Sequence, residues 1–333
     1  MIILIAKFVV GLLLIIKGAD WLTDGASDIA RRFNVSSLVI GLTIVAFGTS
    51  APELVVSVIS AVKGQADLAI GNVVGSNIFN SLAIVGITAI ICPVACSKGN
   101  IRYDVPLCLL ASVVLFVMTN DTLLGASEDV ISRSDGIVLL CFMAIFMAYS
   151  ITLGLNSSND VNDKEQPVAA PLWKSVLLFF IGLAGLIFGG DWMVDGASGI
   201  AAHMGVGQNI IALTIVAAGT SFPELMTSVM AARKGDTDMA LGNVIGSNIF
   251  NIFFILGTAA TITPLQRGNI GIIDFITLVV GAAMIWVFCR FGRKHHHITR
   301  LEGVALALCA IIYYFQALLS TKNCGRLKNI IIK

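Results

Sequence analysis

A ten-span, all-α polytopic membrane protein, built as two inverted five-helix repeats with helices 2 and 7 broken, is the architecture these residues predict. The chain is 57% hydrophobic and only 12% charged, against about 25% charged in an ordinary water-facing domain. Apolar runs of about 20 residues, long enough to cross a hydrocarbon core, recur along its length. The second half restates the first.

The runs fall near residues 2–30, 37–62, 67–92, 104–119, 135–154, 172–201, 208–232, 238–262, 270–290 and 300–319. The first, MIILIAKFVVGLLLIIKGAD, has neither a basic leader nor a small-residue cleavage site, so it reads as a span and not as a signal peptide. Spans 1 and 6 are the longest and are expected to tilt strongly. The polar stretch LNSSNDVNDKEQP at 155–167 divides the chain. It gives a first repeat over 1–154, a cytoplasmic linker over 155–171, a second repeat over 172–320 and a basic tail over 321–333.

The duplication is explicit. KGADWLTDGAS at 17–27 matches FGGDWMVDGAS at 188–198, an offset of 171 residues. GTSAPE at 48 and GTSFPE at 219 keep that offset, as do GNVVGSNIFN at 71 and GNVIGSNIFN at 242. Aligned without a gap, 41–86 and 212–257 share 29 of 46 positions. Five spans per half is an odd number, so the second copy enters the membrane from the opposite side. Such inverted repeats are expected of a secondary transporter with its site near the midplane, between the repeats. Basic residues set the orientation. With the N-terminus outside, the inner loops hold Arg31, Arg32, Lys98, Arg102, Lys164, Lys174, Arg233, Lys234, Arg290, Arg293, Lys294 and Arg300. The outer loops hold Lys63, Arg133 and Arg267. The tail, with Lys322, Arg326, Lys328 and Lys333, runs against this bias. Both termini are expected outside, in a multi-pass protein of the bacterial inner (plasma) membrane.

The repeated motifs put oxygen chemistry where hydrocarbon is expected. Pro52 lacks an N–H, so the carbonyl of Gly48 is expected to lose its helical partner, opening the backbone near 46–49. Open backbone at membrane depth is tolerated where it lines a site. Thr49, Ser50 and Glu53 share one helical face, as do Thr220, Ser221 and Glu224. The following spans add Ser76 with Asn80, and Ser247 with Asn251, each pair four residues apart. Gly71 and Gly75, like Gly242 and Gly246, form small-residue faces that let helices approach closely. Every candidate ligand is oxygen. Two carboxylates in an oxygen cage suit a hard cation such as Ca²⁺, which takes six to eight oxygens, and the same atoms could hold Na⁺. Burying two carboxylates costs roughly 5–7 kcal/mol on insertion scales, more than a structural role justifies. Without a cation, protons become natural competitors.

These residues resemble the sodium/calcium exchanger family, within the wider cation/calcium exchanger group: GTSAPE with GNVVGSNIFN is similar to its first α-repeat, GTSFPE with GNVIGSNIFN to its second. The resemblance covers nearly the whole chain, in the compact prokaryotic form that lacks a large regulatory insert between the halves. It implies a Na⁺-driven Ca²⁺ antiporter working by alternating access, commonly with three Na⁺ per Ca²⁺. It also implies a ligand set: Ala46, Thr49, Ser50, Glu53, Ser76 and Asn80 in one repeat, and Ala217, Thr220, Ser221, Glu224, Ser247 and Asn251 in the other, with backbone carbonyls contributed at Ala46 and Ala217. Some relatives carry aspartate at the position of Asn80 or Asn251, and the potassium-dependent branch relies on one. Asparagine at both positions argues against K⁺ co-transport.

Other readings are weaker. A net charge of +1 gives no sign of nucleic-acid binding. The seven cysteines show no zinc or CxxC spacing. Asn72, Asn77, Asn243 and Asn248 read as helix–helix glue. Asp20, Asp24, Asp191 and Asp195 read as interfacial caps or ion pairs, Lys17 as an interfacial lysine, and His295–His297 as part of an interfacial basic cluster. A membrane enzyme would need a nucleophile–base pair or metal ligands that neither repeat supplies. A proton-driven cation antiporter is the nearer alternative, although its relatives lack the GTSxPE motif; a channel is the third. No cofactor is expected beyond the transported ions. One chain holds both half-sites, so a monomer in the bilayer is expected to suffice.

Overall fold

The computed structural model describes all residues except 34, 126, 157–170, 205–218, 269 and 332–333, and the side chains of 124, 154–156, 318 and 320–331 are likewise outside it. Helices dominate. In chain order they are α1 (Ile2–Arg32), α2 (Ser37–Thr49), α3 (Ala51–Val62), α4 (Ala66–Ile91), α5 (Asn100–Met118), α6 (Arg133–Asn156), α7 (Leu172–His203), α8 (Phe222–Arg233), α9 (Thr237–Ile262), α10 (Ile272–Phe291) and α11 (Arg300–Ile331). Among the described residues, eight are long and apolar enough to cross a membrane, and α2 with α3, bent by 49° at Ser50, makes a ninth. The break expected in helix 2 is therefore present. Ser221, where the matching break in helix 7 is expected, leaves helical geometry just ahead of α8, the second half of the expected span 208–232; the first half of that span lies mostly outside the described residues. The tail expected from 321 is helical as far as Ile331.

The spans divide into a centre and a periphery. The apolar window of α9 is 94% buried and that of α4 72% buried, against 22% for α1 and 28% for α7. Large side chains such as Leu13, Ile145, Phe180, Phe188 and Ile311 stay exposed on the outer helices, the surface a bilayer would cover.

Glycine decides the closest contacts. Gly11, Gly18 and Gly25 on α1 recur at the repeat offset as Gly182, Gly189 and Gly196 on α7. A Cβ on Gly18 would lie 2.8 Å from the carbonyl oxygen of Gly182, and one on Gly189 would lie 2.8 Å from that of Gly11. The two helices thus meet backbone to backbone along a seam that no larger residue fits. Gly242 and Gly246 do the same for α9 against α2: a Cβ on Gly246 would stand 2.5 Å from the Leu42 carbonyl and 2.8 Å from the Ala46 Cβ. The equivalent neighbours of Gly71 and Gly75, near 209–217, lie outside the described residues.

Two short antiparallel ladders tie one half to the other. β1 (Val94–Ala95) pairs with β4 (His297–Ile298), and β2 (Val130–Ile131) pairs with β3 (Leu265–Gln266). β1 and β3 are repeat-equivalent by the 171-residue offset, so each half lends a strand to the other. The basic histidine cluster is placed by the first ladder: His297 is in β4, and His296 takes a left-handed conformation (φ 63°) just before it.

Candidate cation site

Each GTSxPE motif opens a short helix. α2 ends at Thr49, Ser50 departs from helical geometry (φ −83°, ψ 7°), and α3 starts at Ala51. Pro52 is therefore the second residue of a new helix, where a missing N–H costs nothing. Ser221 (φ −91°, ψ 6°) repeats this ahead of α8, with Pro223 as the second residue of that helix. The proline thus restarts the helix after the break. The carbonyl of Ala46 is also less open than expected, since it accepts from the Ser50 N–H at 3.0 Å and from the Thr49 hydroxyl at 3.3 Å. Ala217 lies outside the described residues.

Glu53 and Glu224 each fall in the first turn of these short helices, where the positive end of the helix dipole favours a carboxylate. Both are 1% exposed. The serine at each helix start does not cap its own helix. It crosses to the other repeat instead. Ser50 Oγ donates to Glu224 Oε1 at 3.0 Å, and Ser221 Oγ donates to Glu53 Oε1 at 3.4 Å. Thr49 lies against Glu224 and Thr220 against Glu53.

A set of amides holds this arrangement from behind. Asn72 Nδ2 donates to Ser57 Oγ at 3.0 Å and to the Glu53 carbonyl at 3.4 Å. Asn243 Nδ2 donates to Ser228 Oγ at 3.0 Å and to the Glu224 carbonyl at 3.3 Å, and its oxygen accepts from Thr49 at 3.3 Å. Between α4 and α9, Asn80 Nδ2 donates to Asn248 Oδ1 at 3.1 Å, while Asn251 Nδ2 donates to Asn77 Oδ1 at 2.9 Å. Asn248 Nδ2 donates to Ser81 Oγ at 2.8 Å, and Asn77 Nδ2 to the Asn248 carbonyl at 3.0 Å. Both Asn80 and Asn251 lie in π-helical stretches, Phe79–Ile84 and Phe250–Leu256, local widenings that recur at functional sites.

Among the buried side-chain atoms that find no hydrogen-bond partner is a matched set of oxygens. Glu53 Oε2, Ser76 Oγ and Asn80 Oδ1 are buried and accept no hydrogen bond, and so are Glu224 Oε2, Ser247 Oγ and Asn251 Oδ1. Buried polar atoms are almost always satisfied, so three repeat-related pairs without a partner make these residues candidate ion ligands. Among the described residues no three His, Cys, Asp or Glu side chains are placed to hold a metal ion together. Any cation here would be held by two carboxylates and neutral oxygens. Sequence spacing found these six residues. It did not find Ser57, Ser81 and Ser228, whose only signal was the repeat itself for the pair Ser57 and Ser228.

Comparison with known proteins gives a consistent answer. The family model described as "Sodium/calcium exchanger protein" matches residues 3–152 and 174–319. The inner membrane protein YrbG of Escherichia coli is 37% identical over 276 residues, 79% of this chain and 81% of that protein. The sodium/calcium exchanger MaX1 of Methanosarcina acetivorans is 31% identical over 334 residues, covering 91% and 95%. Among solved structures, the sodium-calcium exchanger NCX_Mj soaked with 10 mM Na⁺ and zero Ca²⁺ superposes with a TM-score of 0.81 at 32% identity, over 96% of this chain and 99% of that one.

Proposed function

Because the chain belongs to the sodium/calcium exchanger family, we propose that it exchanges Na⁺ for Ca²⁺ by alternating access, at a site between two inverted five-span repeats. One observation carries the reading: six buried oxygens, in three repeat-related pairs, have no hydrogen-bond partner. In this reading Glu53, Glu224, Ser76, Ser247, Asn80 and Asn251 supply those oxygens. Thr49, Ser50, Thr220 and Ser221 complete the shell, with the carbonyls of Ala46 and Ala217. Thr49 can rotate its hydroxyl away from the Ala46 carbonyl, which leaves that oxygen bonded to the Ser50 N–H and opens its second lone pair to an ion.

Charge explains why such a cage would exchange ions and not leak them. Two carboxylates balance one Ca²⁺, whose six to eight oxygen ligands match the atoms available. Left empty, the cage would carry two uncompensated charges out of water, a state several kcal/mol unfavourable per ion. Crossing between faces is then favoured only when Ca²⁺ or Na⁺ ions neutralise the pair. Two asparagines at 80 and 251 supply no third charge for K⁺. The termini face outward on the basic-residue count, and one chain is the working unit.

The test is radioactive Ca²⁺ uptake into Na⁺-loaded proteoliposomes, with Glu53→Gln and Glu224→Gln beside the parent. The expected result is uptake that requires the outward Na⁺ gradient and is lost in both variants. Uptake driven by a pH gradient alone would replace Na⁺ with protons as the coupling ion. Full activity in either glutamine variant would overturn the site.

A further inference from the structure

The repeat offset pairs Asp20 with Asp191, Asp24 with Asp195, and Lys234 with Lys63. The two sets are in different states. Lys234, just after α8, reaches α1 with three contacts from one ammonium: Asp20 Oδ1 at 2.6 Å, Asp24 Oδ1 at 2.7 Å and the Asp20 carbonyl at 2.9 Å. Lys63, just after α3, makes no ion pair among the described residues. Its expected partners on α7 are engaged elsewhere: Lys7 of α1 bonds Asp195 Oδ2 at 2.8 Å and lies within electrostatic reach of Asp191. The residue equivalent to Lys7 in the second repeat is Leu178, so this competitor exists on one side only.

α1 and α7 are joined by their glycine seam, whereas α3 and α8 carry the site glutamates. Lys234 therefore ties the outer helix pair to the site-bearing core, and Lys63 is placed to make the same tie from the other repeat. In a transporter with inverted repeats, the state open to the opposite face is reached when the repeats exchange conformations. We propose that Lys234 and Lys63 are alternating latches: Lys234 holds Asp20 and Asp24 in the state seen here, and Lys63 takes Asp195 and Asp191 from Lys7 in the oppositely facing state. This rests on the alternating-access reading above, but not on which ions are exchanged. The latches set the balance between the two faces and touch no ion.

Cross-linking tests it in a cysteine-free parent, with one added pair at a time: Lys234→Cys with Asp24→Cys, or Lys63→Cys with Asp195→Cys. Each pair is treated in proteoliposomes with a short bis-methanethiosulfonate linker across Na⁺ and Ca²⁺ conditions. The expected result is that both pairs link, and that conditions raising one yield lower the other. Failure of the 63–195 pair to link under every condition would overturn the proposal. The yields decide this without reference to cargo, whereas Ca²⁺ uptake by the cysteine-free parent tests the exchanger reading separately. As a second readout, Lys234→Ala and Lys63→Ala should shift the ratio of apparent Ca²⁺ affinities at the two faces in opposite directions, each by about two- to five-fold, the range for a part-exposed ion pair. Lysine-to-arginine variants should restore it. An equal loss in both alanine variants, with that ratio unchanged, would mean the lysines only support the fold.

Discussion

Asn248→Ala would show whether the amide network aims the ligand oxygens. Asn248 touches no proposed ligand oxygen directly; its Oδ1 accepts from Asn80 Nδ2 at 3.1 Å and its Nδ2 donates to Ser81 at 2.8 Å. Both bonds are buried, and truncation leaves the Asn80 amide nitrogen without a partner. An orphaned buried donor costs about 1–3 kcal/mol, so the thermal midpoint should fall. The larger consequence is directional. Asn80 Oδ1 is free only because Nδ2 is held by Asn248. Released, the amide can turn over and present N–H groups to a cation. Loss of a group that orients a metal ligand typically costs about 10- to 100-fold in affinity. Equilibrium Ca²⁺ binding to purified protein, with a melting curve on the same sample, separates the two effects. A midpoint that falls while Ca²⁺ affinity stays within about twofold, well short of that range, would refute the orienting role. Asn248→Asp keeps the acceptor for Asn80 and should retain more affinity than the alanine variant.

Other expectations follow from the same geometry. Gly246→Ala places a methyl 2.5 Å from the Leu42 carbonyl; α2 must move away from α9, at an overpacking cost of about 1–3 kcal/mol, and Ca²⁺ uptake should fall more steeply than folded yield. Gly189→Val should open the seam between α1 and α7, because even a Cβ meets the Gly11 carbonyl at 2.8 Å; a melting point unchanged from the parent would contradict that packing. Acidification should release Ca²⁺, since protons compete for Glu53 and Glu224, so Ca²⁺ binding measured against pH should weaken as pH falls; binding that strengthens toward acid would count against carboxylate ligation. Ser50→Ala should loosen Glu224, and Ser221→Ala should loosen Glu53, each seen as a weaker apparent Ca²⁺ affinity with uptake retained.

Much of this protein is written along the chain. Apolar run lengths place most spans within a few residues, because a bilayer fixes how much hydrocarbon a helix must cover. The 171-residue duplication and the i, i+3 and i, i+4 spacing of Thr49, Ser50 and Glu53, or of Ser76 and Asn80, bring out the proposed ligand residues, since helical periodicity alone puts such neighbours on one face. Only the tertiary structure decides how those residues divide their bonds. That Ser50 serves Glu224 and not its own helix, that Asn248 turns the oxygen of Asn80 free, and that Lys234 is engaged while Lys63 is not are all relations between residues far apart in sequence or between two copies of one motif. Local spacing cannot encode them. They depend on how two related repeats pack against each other, and a packed pair of unequal conformers treats equivalent residues differently.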